Sequence, residues 1–372
     1  MRTLRFLLRK EFRQIFRNKA IVAMILVVPV VQLLILPLAA NYEVKNINLA
    51  VVDRDHSPYS RKMISKITAS GYFKLTGYNA SFNESLKLIE KDDADLVLEI
   101  PAGFEKNLVR ESQQKLFIAV NAINGVKAGV GGAYLGSIIR DFNSEIIFES
   151  VAVPKIGAVH TIDIVPSNWF NPLMNYRYFM VPGILAILLT MVGGYLSALN
   201  IVKEKEIGTI EQINVTPIKK HHFILGKLIP FWVLGLIVFT LGLLVSWVFY
   251  GIVPEGSLVL LYGFVAIYLL AVLGFGLLIS TFTDTQQQAM FVAFFFMMIF
   301  ILMSGLFTSI DSMPVWAKAI ARLNPVSYMI DVMRMIILKG SGFTDIRSHL
   351  LKVAGFAVLL NVWAVLKYRK TT

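Results

Sequence analysis

Six runs of roughly 20 residues, almost free of charge, constrain what this 372-residue chain can become. About that many apolar residues are needed to carry a helix across the hydrocarbon core of a bilayer. The runs cover 20–40, 178–200, 228–251, 258–282, 288–307 and 353–366, the last being short and extended by Leu350, Leu351 and a snorkelling Lys352. With 56% hydrophobic and 16% charged residues, the chain is too apolar for an ordinary soluble protein of its length. It is expected to be a multi-pass membrane protein.

The formal net charge of +12 could suggest nucleic acid, but the cations sit at the edges of the apolar runs. Arg2, Arg5, Arg9, Lys10, Arg13, Arg17 and Lys19 precede the first run against a single Glu11. Lys203, Lys205, Lys219, Lys220 and Lys227 lie between the second and third, and Lys367, Arg369 and Lys370 follow the last. The positive-inside rule makes these regions cytoplasmic, which six spans permit when both termini are inside. Segment 41–176 has 14 Lys plus Arg and 15 Asp plus Glu, so it is nearly neutral and can lie outside. No cysteine is present, which excludes a disulfide framework. The first run is read as a retained anchor, because it is long and lacks a small-x-small cleavage site before Asn41-Tyr42-Glu43.

Residues 2–17 carry Leu4, Leu8, Phe12 and Phe16 at a four-residue period with arginines one position behind. This predicts an amphipathic helix over 1–19 with its apolar stripe in lipid and its arginines at anionic headgroups. Pro29 and Pro37 predict local kinks in span 20–40. Within 41–176, strands are expected at 47–52, 73–76, 94–100 and 116–120, and helices at 57–70, 81–91 and 126–150. Ser81 and Glu84 have the spacing of a capping box. The alternation favours a sheet with helices packed on it, an α/β extracytoplasmic domain inserted between the first two spans. Asp53, Asp55 and His56 could ligate a cation, but Asp and Ser-Pro after a strand are ordinary turn and cap chemistry. His160 stands alone, as a surface or hydrogen-bonded histidine.

Segment 201–227 is a charged stretch between two apolar runs. As one helix it would set Glu204, Gly208 and Glu211 on one side and Ile207, Ile210 and Ile213 on another, ending at Thr216-Pro217. Gly193-Gly194 in the second span would permit close helix contact. Segment 304–342 is too polar to span, yet has helical periodicity on both sides of Asn324-Pro325. It predicts two short helices at or dipping into the outer surface within 311–340, the first starting at Pro314 and the second stopped by Lys339-Gly340. No span has a charge near its centre, which disfavours ion-coupled transport.

These residues together resemble the permeases of ATP-binding-cassette exporters of the second type, the ABC-2 family. The pattern E-x-E-x-G-T-x-E-x-x-x-x-T-P falls on Glu204, Glu206, Gly208, Thr209, Glu211, Thr216 and Pro217, followed by Gly226-Lys227. The outer signature is matched by Ser304-Gly305, Met313-Pro314, Trp316, Leu323-Asn324-Pro325, Arg334 and Leu338-Lys339-Gly340. The start of the chain, KEFRQIFRNK, is also similar. The resemblance implies a polytopic α-helical protein with six transmembrane helices: spans two to six in 177–372, a cytoplasmic coupling helix over 202–217 and outer re-entrant helices. It implies a permease that moves an amphipathic drug, lipid or lipid-linked molecule outward across the inner membrane of a bacterium. Two copies of an ABC ATPase subunit and a second permease copy or paralogue are the implied partners, with a periplasmic adaptor conceivable in a two-membrane cell. Glu204, Glu206, Gly208, Thr209 and Glu211 would be coupling contacts, supported by Arg9, Lys10, Phe12, Arg13 and Arg17.

ATP and Mg are expected on the partner and not on this chain, which has no catalytic, cofactor or metal site of its own. A phosphate loop needs G-x-x-x-x-G-K-[ST], whereas the Gly226-Lys227 pair is followed by Leu228 and position 221 is His. The competing expectation is a membrane receptor or scaffold whose external domain binds a ligand or envelope protein.

Overall fold

The computed structural model describes residues 2–39, 46–111, 113–123, 125–150, 169–171, 175–209 and 220–367. The chain divides into a helical unit, 1–41 with 166–372, and a second unit, 42–165.

The helical unit begins with α1 (Arg2–Arg17) and α2 (Lys19–Ala39), the latter continuous through Pro29 and Pro37. It resumes with α7 (Tyr176–Thr190), a π-helical turn at Met191–Leu196 and α8 (Ser197–Glu206). Then come α9 (Lys220–Tyr250), α10 (Leu258–Phe282), α11 (Gln286–Leu302), α12 (Val315–Arg322), α13 (Pro325–Lys339) and α14 (Phe343–Lys367). Among the described residues five stretches are long and apolar enough to cross a membrane: Ile21–Ala39, Tyr176–Glu206, His221–Tyr250, Leu258–Phe282 and Phe343–Lys367. Gln286–Leu302 is apolar but shorter, at 17 residues.

Helix α10 is the axis of this unit, with Leu261, Phe264, Val265, Tyr268 and Leu269 all fully buried. It packs on α14, α8, α9 and α13. Lipid tails are as apolar as leucine, so such packing relies on close van der Waals fit and interhelical hydrogen bonds. Both are present. A Cβ on Gly276 would stand 2.5 Å from the Gly194 carbonyl oxygen, so the two backbones touch where α10 crosses the π turn. Asn361 Nδ2 donates across to Leu270 O at 2.9 Å, and the Thr190 hydroxyl bonds the buried Tyr268 hydroxyl.

The fifth run ends sooner than its composition predicts, at Leu302 instead of 307. Gly305 turns with φ +82°, and the carbonyls left free at this helix end are taken from outside it. Asn324 Nδ2 donates to Phe300 O at 2.7 Å and Ser327 Oγ to Met303 O at 3.1 Å. The last run is longer than predicted, because Phe343–Lys352, a segment that includes Asp345, Arg347 and His349, forms the first turns of α14.

The second unit holds a four-stranded sheet in the order β2 (Phe73–Asn79), β1 (Ile47–Asp53), β3 (Leu96–Ile100), β4 (Phe117–Val120). β1 is parallel to β2 and β3, with Leu49 opposite Leu96 and Val51 opposite Leu98; β4 is antiparallel to β3. β1 is buried on both faces, as expected of a central parallel strand. Ile47, Leu49 and Val51 pack with Met63, Ile67, Phe104, Leu135 and Phe142 from α3 (Pro58–Ala69), α5 (Phe104–Glu111) and α6 (Gly125–Ser150). Ala50 and Val52 pack with Val97 and with Leu88 from α4 (Phe82–Glu90) on the other face.

Two details differ from the sequence expectations. Ser81 holds the N-cap position of α4, but its side chain makes no capping hydrogen bond, so the capping box does not form. Helix α5 was not anticipated, because it is eight residues long, follows Pro101 and Gly103, and buries only Phe104. Asp53 is saturated by turn chemistry: Oδ1 accepts from the N–H groups of Asp55 and His56, and Oδ2 accepts from the Ser60 and Tyr78 hydroxyls. Among the described residues no group of three acidic, histidine or cysteine side chains could hold a metal.

Candidate coupling site

The charged stretch after α8 is organised by a glycine. Helix α8 stops at Glu206, and Ile207-Gly208 form a turn in which Gly208 has φ +79°. That left-handed backbone costs glycine nothing and other residues strain. The single helix expected over 202–217 is therefore broken at its seventh residue, and Glu204 and Gly208 do not share a helical face. Residues 210–219, with Glu211, Thr216 and Pro217, lie outside the described residues.

Glu204 does not face outward. It is 4% exposed and lies in a cluster with Lys227 (2%) and Glu11 (2%). Lys227 Nζ donates to Glu204 Oε1 at 2.7 Å, to Glu11 Oε2 at 2.8 Å and to Asn200 Oδ1 at 3.0 Å. The half-exposed Lys10 adds a second cation, 3.2 Å from Glu204 Oε1 and 3.4 Å from Glu11 Oε1. Thr209 Oγ1 donates to Glu204 Oε2 at 3.0 Å. Two cations meet two carboxylates, and all three Nζ hydrogens of Lys227 are used. That is the condition under which buried charges are tolerated.

Three helices supply the participants: Glu11 and Lys10 come from α1, Asn200 and Glu204 from α8, and Lys227 from α9. Helix α1 reaches the cluster through Leu7, Glu11 and Ile15, a stripe beside the Leu4, Leu8, Phe12 and Phe16 stripe read from the sequence. Gly226 allows the approach, since a Cβ there would meet Leu7 Cβ at 3.2 Å. Glu11 is thus the centre of the buried face and not a lone acid on a basic helix. Of the other residues expected to support coupling, Arg9, Arg13 and Arg17 are exposed, and Phe12 is half-buried with its ring stacked on Phe16. Arg13 and Arg17 line an open basic cleft with Lys10 and Lys19.

The neighbours of Glu204 are also engaged. Lys205 Nζ donates to Thr283 O at 3.0 Å, capping the end of α10. Glu206 accepts from the Gln286 N–H and side-chain amide, at 3.1 and 2.7 Å, at the start of α11. The exposed part of the described turn is Ile207, at 62%. So α1, α8, α9 and the α10–α11 turn are fastened together, with an apolar side chain and a glycine at the tip.

The outer-signature residues sit at the opposite end of the same helices. The 31 residues of Tyr176–Glu206 span about 45 Å at 1.5 Å per residue, close to the thickness of a whole bilayer. Met313 precedes Pro314, the N-cap of α12, and Trp316 on that helix is exposed. Asn324 caps α13 by accepting from Val326 N–H, with Pro325 at the first turn. Gly340, φ +66°, closes α13, whose Ile336 and Ile337 carbonyls accept from the N–H groups of Gly256 and Glu255 in the α9–α10 loop. Lys339 is exposed, its ammonium 6.0 Å from the Phe170 ring. The guanidinium of Arg334 lies 3.6 Å from the Phe179 ring centroid.

Residues 19–366 match the family described as ABC-2 family transporter protein. The chain belongs to the ABC-2 transporter family. Its relatives include "Probable multidrug ABC transporter permease YbhR" of Escherichia coli, 30% identical over 92% of each chain. "Probable multidrug ABC transporter permease YbhS" of the same organism is 29% identical over 91% of this chain and 89% of its own. "Linearmycin resistance permease protein LnrN" of Bacillus subtilis is 24% identical over 81% of this chain and 82% of its own. As an ABC-2 permease, this multi-pass membrane protein is a transport subunit whose family implies an ABC ATPase partner. Glu11, Asn200 and Lys227 were not singled out as site residues from the sequence. The usable signal was a lysine directly after a glycine at the mouth of an apolar helix, paired with the one acid in a basic N-terminal helix.

Proposed function

We propose that this permease exports an amphipathic molecule across the inner membrane through six spans with both termini inside, and that unit 42–165 lies outside. ATP and Mg are held by two copies of a separate ATPase, and a second permease completes the pathway. The names of YbhR, YbhS and LnrN support a drug-like or antibiotic cargo. Gln286–Leu302 then serves as a short sixth span, lengthened on one side by the Thr283–Thr285 turn and on the other by Met303–Phe307.

The observation that carries the coupling reading is the buried Glu11, Lys227 and Glu204 cluster, which binds three helices together behind an exposed turn. A push on Ile207-Gly208, or on the residues following them, is delivered to α8, α9 and α1 together. Glu204 acts in this scheme as an internal fastener and Glu206 as a surface tie to α11, and contact with the ATPase falls to Ile207, to 210–217 and to the arginines of α1.

The test uses the permease co-expressed with its ATPase and reconstituted in vesicles. Ile207→Asp is expected to leave insertion and thermal stability intact while abolishing cargo-stimulated ATP hydrolysis and vesicle uptake of a fluorescent amphiphile. Full stimulation in this variant would refute the coupling role. Transport that persists without the ATPase would refute export by this mechanism and favour a receptor.

A further inference from the structure

Where α7 begins, a cleft of about 520 Å³ opens between that helix, the turn after α11 and α13. It is lined by three aromatic rings, Tyr176, Phe179 and Phe307, and by three charges, Asp311, Asp331 and Arg334. That volume lies within the range of small-molecule sites.

The charges here are not closed on one another. Arg334 Nε donates to Phe179 O at 3.4 Å and Nη1 to Gly305 O at 3.5 Å, both at the long limit, and the buried Nη2 has no partner. A guanidinium carries five donors and cannot be deprotonated to escape the cost. Asp331, one helical turn before it on α13, makes no hydrogen bond or ion pair within 4 Å among the described residues, although (i, i+3) neighbours on a helix are close enough to pair, and it feels His349, Arg334 and Lys339 only through longer-range attraction. The Phe179 ring holds the guanidinium in a fixed stack instead. A guanidinium with one unbonded nitrogen and a partly exposed carboxylate that does not close on it thus line one cleft, with Asp311 exposed at its rim.

A simple anion would satisfy Arg334 and meet repulsion from Asp331 and Asp311. A simple amine would do the reverse. A group bearing both, a few ångströms apart, satisfies all three, and the Tyr176 ring favours an ammonium in addition. We infer that this cleft binds a phosphate–amine zwitterion, with the phosphate on the Arg334 guanidinium and the amine on Asp331 and Asp311. The apolar wall of Leu306, Phe307 and Ile310 continues the site toward acyl chains. The site stands apart from the coupling cluster and does not depend on the direction of transport.

The experiment is calorimetric titration of the full-length, detergent-solubilised protein. The probes are dihexanoyl phosphatidylethanolamine, dihexanoyl phosphatidic acid, which lacks the amine, and free O-phosphoethanolamine, which lacks the chains. Phosphatidylethanolamine is expected to bind at least tenfold more tightly than phosphatidic acid. Arg334→Gln should weaken both lipids at least tenfold, and Asp331→Asn should reduce phosphatidylethanolamine to the level of phosphatidic acid. Chain-free O-phosphoethanolamine binding as tightly as the lipid would assign a soluble headgroup; weaker binding would assign a lipid, and either outcome supports the zwitterion site. Equal affinity of wild type and Arg334→Gln, or of the two lipids, would overturn it. Because Arg334→Gln could lose its fold, Ser309→Trp fills the cleft from its exposed rim; undiminished phosphatidylethanolamine binding by that variant would also overturn the proposal.

Discussion

The two ends of the helical unit treat buried charge in opposite ways. At the coupling end, Lys227 spends all three donors on Glu11, Glu204 and Asn200, and Lys10 balances the second carboxylate. At the signature end, Arg334 keeps an unpaired buried nitrogen, and the partly exposed Asp331 makes no hydrogen bond or ion pair within 4 Å among the described residues. A saturated cluster rigidifies, because each group is expensive to release; an open one stores interaction for something that arrives. The first suits a mechanical joint and the second a binding site.

That contrast is broken most directly at Lys227. Lys227→Met leaves two buried carboxylates facing each other with only the peripheral Lys10, and is expected to cost about 3–5 kcal/mol in thermal unfolding of the solubilised protein. Adding Glu11→Gln and Glu204→Gln should restore most of the loss. A single variant as stable as wild type would mean that the cluster is not a joint.

Asp53 extends the comparison to unit 42–165, where another saturated carboxylate is found. Burial alone would raise its pKa, but the His56 and Asp55 N–H groups and the Ser60 and Tyr78 hydroxyls outweigh burial and hold it below the ordinary carboxylate range. A lowered folded pKa gives stability that is present above the unfolded value of about 4 and lost as pH falls through the folded one. Protection of the β1 amides against hydrogen exchange in the full chain should therefore fall below about pH 4. In Asp53→Asn, which loses an acceptor worth about 1–3 kcal/mol, protection should be lower and less pH-dependent.

Asp331→Asn probes the open end and carries the opposite sign. Removing a largely unpartnered carboxylate should raise thermal stability by about 1 kcal/mol, the direction expected where function keeps a charge that folding does not need. Destabilisation would place Asp331 among the structural charges. The smallest effect is expected at Glu206, whose bonds to Gln286 are solvent-exposed. Glu206→Gln should leave the unfolding temperature unchanged, and a clear drop would show that the fastening extends to the surface.

Much of the architecture is local and was therefore legible. Apolar runs of span length, the alternation of strands and helices in 47–150 apart from α5, and the turn residues Pro314, Asn324-Pro325 and Gly340 each announce an element through neighbours in sequence. The order of the motifs placed the chain in its family. The run lengths also misled locally: the run 288–307 counted residues that turn away at Gly305, since the capping atoms come from Asn324 and Ser327, over 20 positions later.

The sequence by itself determined where helices and strands could form and which ends were basic. The tertiary structure alone decided which charges within those ends are buried. Glu11 and Lys227 are 216 residues apart, and no period links them. Hydrophobic periodicity reports which face of a helix avoids water, but a paired charge avoids water as well, and its partner is known only when the helices meet. Gly208 behaves similarly, since helical and left-handed glycines read alike until neighbouring contacts select one. That is why Glu204, legible as an outward contact, proved to be buried against Lys227.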